Sequence, residues 1–167
     1  GKRPTNKQKA NTRSRNNKIN DYMNKTARTI IDYCINNDIG TLVVGYNETF
    51  QKNSSIGKAN NQTFVNIPYG QLRFKLEYLC EINGIVFVKQ EESYTSQCSP
   101  LSPEVSKRHA EASNRKERGI YITDGVRFNA DAVGAFNILR KYLSVSGKQK
   151  ELSVTGLKTP EIIKVAA

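Results

Sequence analysis

The sequence has few of the residues that build zinc-bound, disulfide-bonded or membrane-spanning proteins. Of its 167 residues three are cysteine, one is histidine and none is tryptophan. Cys34, Cys80 and Cys98 lie far apart with no CxxC pair, and His109 cannot complete a four-ligand set, so no zinc is expected. We interpret Cys34 and Cys80 as core thiols. No apolar run approaches a membrane span and no signal-peptide core is present, so we expect a soluble, cytoplasmic protein.

Acidic residues are fewer than basic residues. The chain has 26 Lys and Arg against 15 Asp and Glu, a net charge of +11. Basic side chains gain free energy by releasing the counterions condensed on a phosphate backbone, so this surplus favours a nucleic-acid partner. A basic protein with no such role is the alternative. Binding to a membrane surface is disfavoured because no Trp/Phe/Leu face accompanies the charges.

The length suits one domain with its own core, flanked by two polar segments. We expect a basic arm or the start of a long helix at 1–17, the main domain at 18–145 and a tail at 146–167. A helix is predicted from about Lys7 to Asn37, before the stop signal Gly40. Apolar residues recur within it at intervals of three and four, at Ile19, Tyr22, Met23, Ala27, Ile30, Ile31 and Cys34.

The next segment predicts a strand–helix–strand unit. Thr41–Gly45 is read as a buried strand and 46–66 as a long polar loop. A helix then begins at Pro68 and ends before Gly84, and Ile85–Gln90 forms a second buried strand. Such a unit implies parallel strands joined by the helix.

The last third predicts a hairpin followed by a helix. Residues 93–118 are polar and Ser-rich, and we expect a mobile loop. Gly119–Thr123 and Val126–Asn129 flank Asp124-Gly125, a strong signal for a tight hairpin turn. Helical spacing of apolar residues then runs from Ala130 to about Val145.

Acidic side chains occupy the ends of two of these predicted elements. Glu91 and Glu92 follow the second strand, and Asp131 lies in the first turn of the last helix. Hydrolysis of phosphodiesters by two divalent ions needs carboxylates that converge from rigid elements. The alternative for Asp131 is a favourable interaction with the helix macrodipole.

Four stretches together resemble the OrfB/TnpB family of transposon-encoded proteins: TLVVGYN, NNQTFVNIPYGQL, VKQEESYTS and RGIYITDGVRFNADAVGAFNILRK. The resemblance covers residues 16–142. It implies an α/β domain with a RuvC-type, RNase H-like fold, related to the type V CRISPR effectors. It also implies an RNA-guided DNA endonuclease that depends on Mg²⁺ (or Mn²⁺) and is linked to transposition. DNA and a guide RNA are the implied partners, and a prokaryotic member is expected to associate with the nucleoid.

The resemblance also assigns the candidate catalytic and metal-binding residues. In NADAVGAFNI, Asp131 takes the place of the family's catalytic aspartate, and Val133 stands where Asn is common. Gly45 stands where many members carry a glutamate. Part of the family uses a relocated glutamate in an E-x-Y-T-S context, which Glu92 matches. Glu91 is a weaker candidate, because strand alternation points it the other way, and Glu48, in loop sequence, is weaker still.

Supporting and nucleic-acid-binding residues are predicted around these two acids. Tyr94, Thr95, Ser96 and Asn137 are interpreted as supports of the site, while Arg140 is interpreted as a surface charge and His109 as incidental. The basic residues expected to contact a nucleic-acid backbone are Lys52, Lys58, Lys107, Arg108, Arg115, Lys116 and Arg118. A solvated basic loop is the alternative for that set.

Two family features have no counterpart in the sequence. The G-x-D-x-G motif that supplies another aspartate is missing, and so is the four-cysteine zinc ribbon before Asp131. We therefore expect an incomplete fold without its first three strands, inactive as this chain alone. An N-terminal segment or a homodimer would cover the exposed sheet edge. The alternative function is a catalytically dead nucleic-acid-binding module of the same family.

Overall fold

A computed structural model describes residues 3–47, 69–148 and 152–165. These form two compact units. The first contains residues 3–42, 69–87 and 164–165, and the second contains 43–47, 88–148 and 152–163. Most of the predicted polar loop lies outside the described residues, as do Glu48, Lys52, Lys58 and Pro68.

The first unit is built on two helices. Helix α1, Asn6–Asn36, begins with a reciprocal cap in which Thr5 Oγ1 accepts from Gln8 N (3.2 Å) and Gln8 Oε1 accepts from Thr5 N (2.8 Å). The basic N-terminal segment is therefore helical. Helix α1 packs against helix α2, Tyr69–Ile82. Their buried residues are Met23, Ala27, Ile31, Cys34, Leu76 and Cys80.

Two of the three cysteines lie in this helix–helix core. Cys34 and Cys80 are both free and buried, which confirms their interpretation as core thiols. Burial raises the pKa of both, and the nearby Cys34 raises that of Cys80 further. Neither thiol is therefore suited to act as a nucleophile.

Strands β1, Thr41–Tyr46, and β2, Val86–Glu91, form a two-stranded sheet. Val86 N donates to Gly40 O (2.9 Å), so the two strands start side by side and run in the same direction, as predicted. The prediction that both are buried is wrong. Residues of β1 are half-buried, and β2 has three exposed positions, because both strands of a two-stranded sheet are edge strands.

The second unit contains the predicted hairpin and the last helix. Strands β3, Ile120–Thr123, and β4, Val126–Asn129, pair antiparallel around Asp124 and Gly125, both at positive φ. Helix α3, Ala130–Val145, follows directly. Its buried side packs on the hairpin and on the tail, through Tyr121, Phe128, Ala130, Val133 and Leu157.

Residues 93–118 are irregular but hydrogen-bonded, so the prediction of a mobile loop is wrong. Thr95 and Cys98 are buried. The backbones of Cys98 and Ala110 pair in an isolated antiparallel β-bridge. Tyr121 OH donates to Gln97 O (2.9 Å). The polar side chains that suggested mobility instead satisfy backbone groups within the segment.

Among the described helices, none combines the length and apolar character needed to cross a bilayer.

Candidate metal centre at strand β2 and helix α3

The carboxylate of Glu92 lies over the backbone of Gly45. A Cβ built on Gly45 would be 2.5 Å from Glu92 Oε2 and 2.8 Å from Ile138 Cδ1. A side chain at this point of β1 would displace the end of the Glu92 or the Ile138 side chain. The fold thus brings a carboxylate to position 45 although the residue there has no side chain.

A tight turn fixes the backbone of Glu92. Its carbonyl accepts from Thr95 N (3.2 Å) and from Thr95 Oγ1 (2.8 Å). Tyr94 adopts a φ of 66°, a conformation that side chains disfavour, and its carbonyl accepts from Gln97 N and Cys98 N at 3.0 Å each. Residues 92–98 are therefore held in one conformation immediately after β2.

Asn137 on α3 secures this turn from the helix side. The side chain is fully buried, and its Nδ2 donates to Thr95 O (2.9 Å) and Cys98 O (2.8 Å). Of the four predicted supporting residues, the structure brings Asn137 and Thr95 together, and Tyr94 contributes through its backbone. Ser96 is exposed.

Arg140 is not a surface charge, contrary to the prediction. Its Nη1 donates to Asn137 Oδ1 (3.0 Å) and Ser99 O (3.2 Å), and its Nη2 donates to Ser102 O. The guanidinium also lies over the Phe136 ring, 5.9 Å from its centroid. Burial lowers the pKa of Arg140. The reason for its inward orientation is that two carbonyls of the irregular segment and the Asn137 side chain offer acceptors close together, and a guanidinium supplies several donors at once.

Asp131 presents an open carboxylate at the start of α3. The side chain is 83% exposed, and Arg115 Nη2 lies 3.4 Å from Oδ1. The helix cap is provided by Asn129, whose Oδ1 accepts from Asp131 N and Ala132 N at 3.0 Å each. The carboxylate of Asp131 is therefore not needed as a cap, and its oxygens remain accessible.

Asp131 and Ile138 lie on the same face of α3. They are seven residues apart, which is two helical turns and about 10 Å along the axis. Side chains of a helix lean toward its N-terminus, so Ile138 leans toward the turn that carries Asp131. Ile138 Cδ1 and Glu92 Oε2 both lie close to Gly45, so Glu92 is near Ile138, and Asp131 lies two turns away on the same face of α3 as Ile138.

Glu91 has a separate set of partners. Its carboxylate pairs with Lys141 and also accepts from Ser93 N (2.6 Å) and from Ser93 Oγ. Burial acts to raise the pKa of Glu91, but the hydrogen bonds from Lys141 and Ser93 outweigh it and leave the pKa below its ordinary value. Glu91 is thus engaged in an ion pair, whereas Glu92 forms none with the residues that the structure describes.

The predicted basic contacts are exposed on the segment before β3. Lys107 and Arg108 lie in a short 3-10 helix, Lys107–His109, and Lys116 and Arg118 follow further along. Arg115 differs from them because it faces Asp131. His109 lies 4.0 Å from Glu104 within the same segment.

Across the ranges that the structure describes, no group of three or more His, Cys, Asp or Glu side chains could hold a metal ion. Glu92 and Asp131 nevertheless fit a magnesium ion by their chemistry. Mg²⁺ binds carboxylate oxygens and is commonly held by one or two of them, with water and substrate phosphate completing the shell. The exposed oxygens of Asp131 leave room for such ligands.

Comparison with known proteins identifies relatives. Residues 69–138 match the family described as Cas12f1-like, TNB domain, and this range includes Glu92 and Asp131. The structure is similar to a cryo-EM structure of the Cas12f1-sgRNA-target DNA complex, with a TM-score of 0.63 and 19% identity over 80% of this chain. The chain spans 36% of the length of that relative.

No curated protein matches the chain by sequence. The structural likeness, at its low identity, establishes a shared mixed α/β fold, and the family match over 69–138 adds a relation in sequence. The two findings confirm the resemblance drawn from the motifs: residues 69–138 are similar to the Cas12f1-like TNB domain, and the fold is similar to that of a Cas12f1 structure.

Proposed function

We propose that this chain is the part of an RNA-guided, metal-dependent DNA endonuclease that supplies Glu92 and Asp131 to a RuvC-type, RNase H-like catalytic centre. The observation that carries the proposal is the carboxylate of Glu92 above Gly45. Many OrfB/TnpB members end this strand with a glutamate. In this chain the carboxylate belongs to Glu92, the residue that follows β2. It lies next to Gly45 of β1, the position at which those members carry the glutamate.

In this proposal Glu92 and Asp131 hold Mg²⁺ or Mn²⁺. A bound ion of this kind activates water and stabilises the leaving oxygen of a phosphodiester. The protein's own contribution is positioning. Thr95 and Asn137 fix the turn that carries Glu92, and Asn129 fixes the turn that carries Asp131. Arg115 provides a positive charge beside Asp131, where a phosphate would approach.

The proposed partners are a guide RNA and DNA, the two nucleic acids in the complex of the similar Cas12f1 structure. Exposed Lys107, Arg108, Lys116 and Arg118 are available to contact phosphates. Because the chain spans little more than a third of that relative, we propose that a further carboxylate comes from another segment or chain. A homodimer is one way to supply it. The link to transposition follows from the same family resemblance.

A nucleic-acid-binding module that does not cut is the second candidate. Two observations favour it. The described residues contain no group of three metal-ligating side chains, and Asp131 already has a cation, Arg115, beside it. In this reading the acids are remnants, and the basic surface alone contributes to function.

Binding of Mn²⁺ by the purified chain separates the two candidates. The proposed centre predicts binding that Glu92→Gln and Asp131→Asn each weaken at least about tenfold, a loss of about 1.4 kcal/mol. Glu104→Gln is the control, because Glu104 faces His109 instead. Absence of binding, or equal loss in the control, would support the binding module. DNA cleavage with Mg²⁺ and guide RNA, tested with this chain alone, is predicted to be absent.

A further inference from the structure

Helix α1 extends well beyond the helix that packs against it. It has 31 residues and α2 has 14, lengths of about 46 Å and 21 Å. The first buried residue of α1 is Met23, and every residue from 6 to 18 is exposed. We call residues 6–18 the α1 overhang. It belongs to the first unit and contains none of the candidate metal ligands.

The charge of the α1 overhang has a single sign. No acidic residue occurs in the sequence before Asp21. The cations of the overhang are Lys7, Lys9, Arg13, Arg15 and Lys18. Positive charges near a helix N-terminus oppose the macrodipole, and an unpacked helix of this length is only marginally stable in water. The charges therefore cost stability in the free protein, and a bound polyanion would offset that cost.

These cations form two rows on opposite sides of the helix. From Met23 onward, one face of α1 packs on α2. Lys9 and Arg13 lie on the N-terminal extension of that face, and Asn16 and Asn20 occupy it between Arg13 and Met23, at intervals of three and four residues. At 100° per residue, Lys7, Arg15 and Lys18 fall within an arc of about 80° on the other side. The chain thus presents basic groups along both flanks of one exposed helix.

The two rows determine the geometry of the partner. A helix is about 10–12 Å wide with its side chains, and the major groove of B-form DNA is about 12 Å wide. Cations on both flanks would meet the phosphates of both strands that border the groove. The major groove of A-form RNA is too narrow for this arrangement. The overhang has no aromatic residue, so it offers single strands no stacking surface.

We propose that the α1 overhang is a docking surface for double-stranded DNA and lies in its major groove. Asn16 and Asn17 supply uncharged donors beside Lys9 and Arg13, along one shallow groove of the helix surface. This site is independent of Glu92 and Asp131, so it holds whether or not the chain takes part in cleavage.

Fluorescence anisotropy with a short DNA duplex, in EDTA so that no cleavage occurs, tests the proposal. Lys9→Gln/Arg13→Gln removes one row, and Lys158→Gln/Lys164→Gln removes two exposed charges elsewhere. Two phosphate contacts contribute on the order of 60-fold in affinity at about 0.1 M salt, and their loss lowers the salt slope by about two. We expect the overhang variant to lose affinity by about this factor and the control variant to lose less than about twofold.

Two further measurements decide the outcome. Lys7→Gln/Arg15→Gln, on the opposite row, must weaken binding as Lys9→Gln/Arg13→Gln does. An RNA duplex of the same sequence must show little dependence on either pair. Equal losses in the control, or equal losses with RNA, would overturn the proposal. Circular dichroism verifies that each variant keeps its helix.

Discussion

The carboxylate of Glu92 occupies the space that a side chain at Gly45 would need, since a Cβ there would lie 2.5 Å from Glu92 Oε2. The residue after β2 therefore lies close to the backbone of strand β1. The glycine has a steric purpose here that does not depend on backbone flexibility. A residue with a side chain at position 45 would displace the acid that the proposed function requires.

Gly45→Ala is predicted to displace the Glu92 carboxylate, because its Cβ would lie 2.5 Å from Glu92 Oε2 and 2.8 Å from Ile138 Cδ1. Both atoms are the ends of flexible side chains, so we expect a loss of stability of no more than about 1 kcal/mol together with a clear loss of Mn²⁺ affinity. Urea unfolding and Mn²⁺ binding measure the two effects. Gly134→Ala is the control for stability, since a Cβ there meets nothing within 4 Å and alanine in a helix is favoured by up to about 1 kcal/mol. Unchanged Mn²⁺ affinity in Gly45→Ala would contradict the proposed role of this contact.

Asn137→Ala is predicted to destabilise the second unit by about 2–4 kcal/mol. The substitution leaves the carbonyls of Thr95 and Cys98 without their buried donor and removes an acceptor of Arg140. Chemical denaturation measures it. Asn83→Ala, which removes an exposed amide bonded to Leu79 O, is expected to cost less than about 1 kcal/mol. Equal effects of the two substitutions would argue against the role of Asn137 in holding the turn.

Helix and hairpin positions could be predicted because they depend on local signals. The spacing of apolar residues marked α1 and α3 to within a residue or two, and Asp124-Gly125 marked the β3–β4 turn. The inward orientation of Arg140 could not be predicted in this way. Its two backbone acceptors, Ser99 O and Ser102 O, lie about 40 residues away in sequence, in a segment with no periodicity.

The candidate site shows the same division. Asp131 and Glu92 could be singled out from motifs, but the contact of Glu92 with Gly45 depends on the pairing of two strands separated by α2. The sequence shows that Arg115 carries a positive charge, which favours a phosphate contact. It does not show that Arg115 lies beside Asp131. A glycine at one strand end with an acid just after the next strand is a signal that could have indicated the contact.

The ion pair between Glu91 and Lys141 is predicted to contribute up to about 1 kcal/mol at neutral pH, since Glu91 is half exposed. The pKa of Glu91 is lowered in the folded protein, so this contribution is present above its ordinary value of 4.5 and is lost as the pH falls through the lowered pKa. Glu91→Gln should therefore be less stable than the unaltered chain at neutral pH and equally stable in acid. Thermal unfolding at several pH values measures this, and a constant difference would contradict it.

Arg115→Gln is predicted to raise the affinity for Mn²⁺ several-fold, because the guanidinium near Asp131 Oδ1 repels a cation. Stability should change by less than about 1 kcal/mol, as both side chains are substantially exposed. Arg118→Gln, also exposed and on the same segment, is the control for a general loss of positive charge. If both substitutions raised the affinity equally, Arg115 would have no specific effect on Asp131.

The most direct test of the metal centre is a double-mutant cycle on Mn²⁺ binding with Glu92→Gln, Asp131→Asn and the double variant. Two acids that share bound ions predict strong non-additivity: either single change removes most of the affinity, and the second adds less than about 0.5 kcal/mol. Additive losses within about 0.5 kcal/mol would mean that the two carboxylates act at separate sites, and would contradict the account.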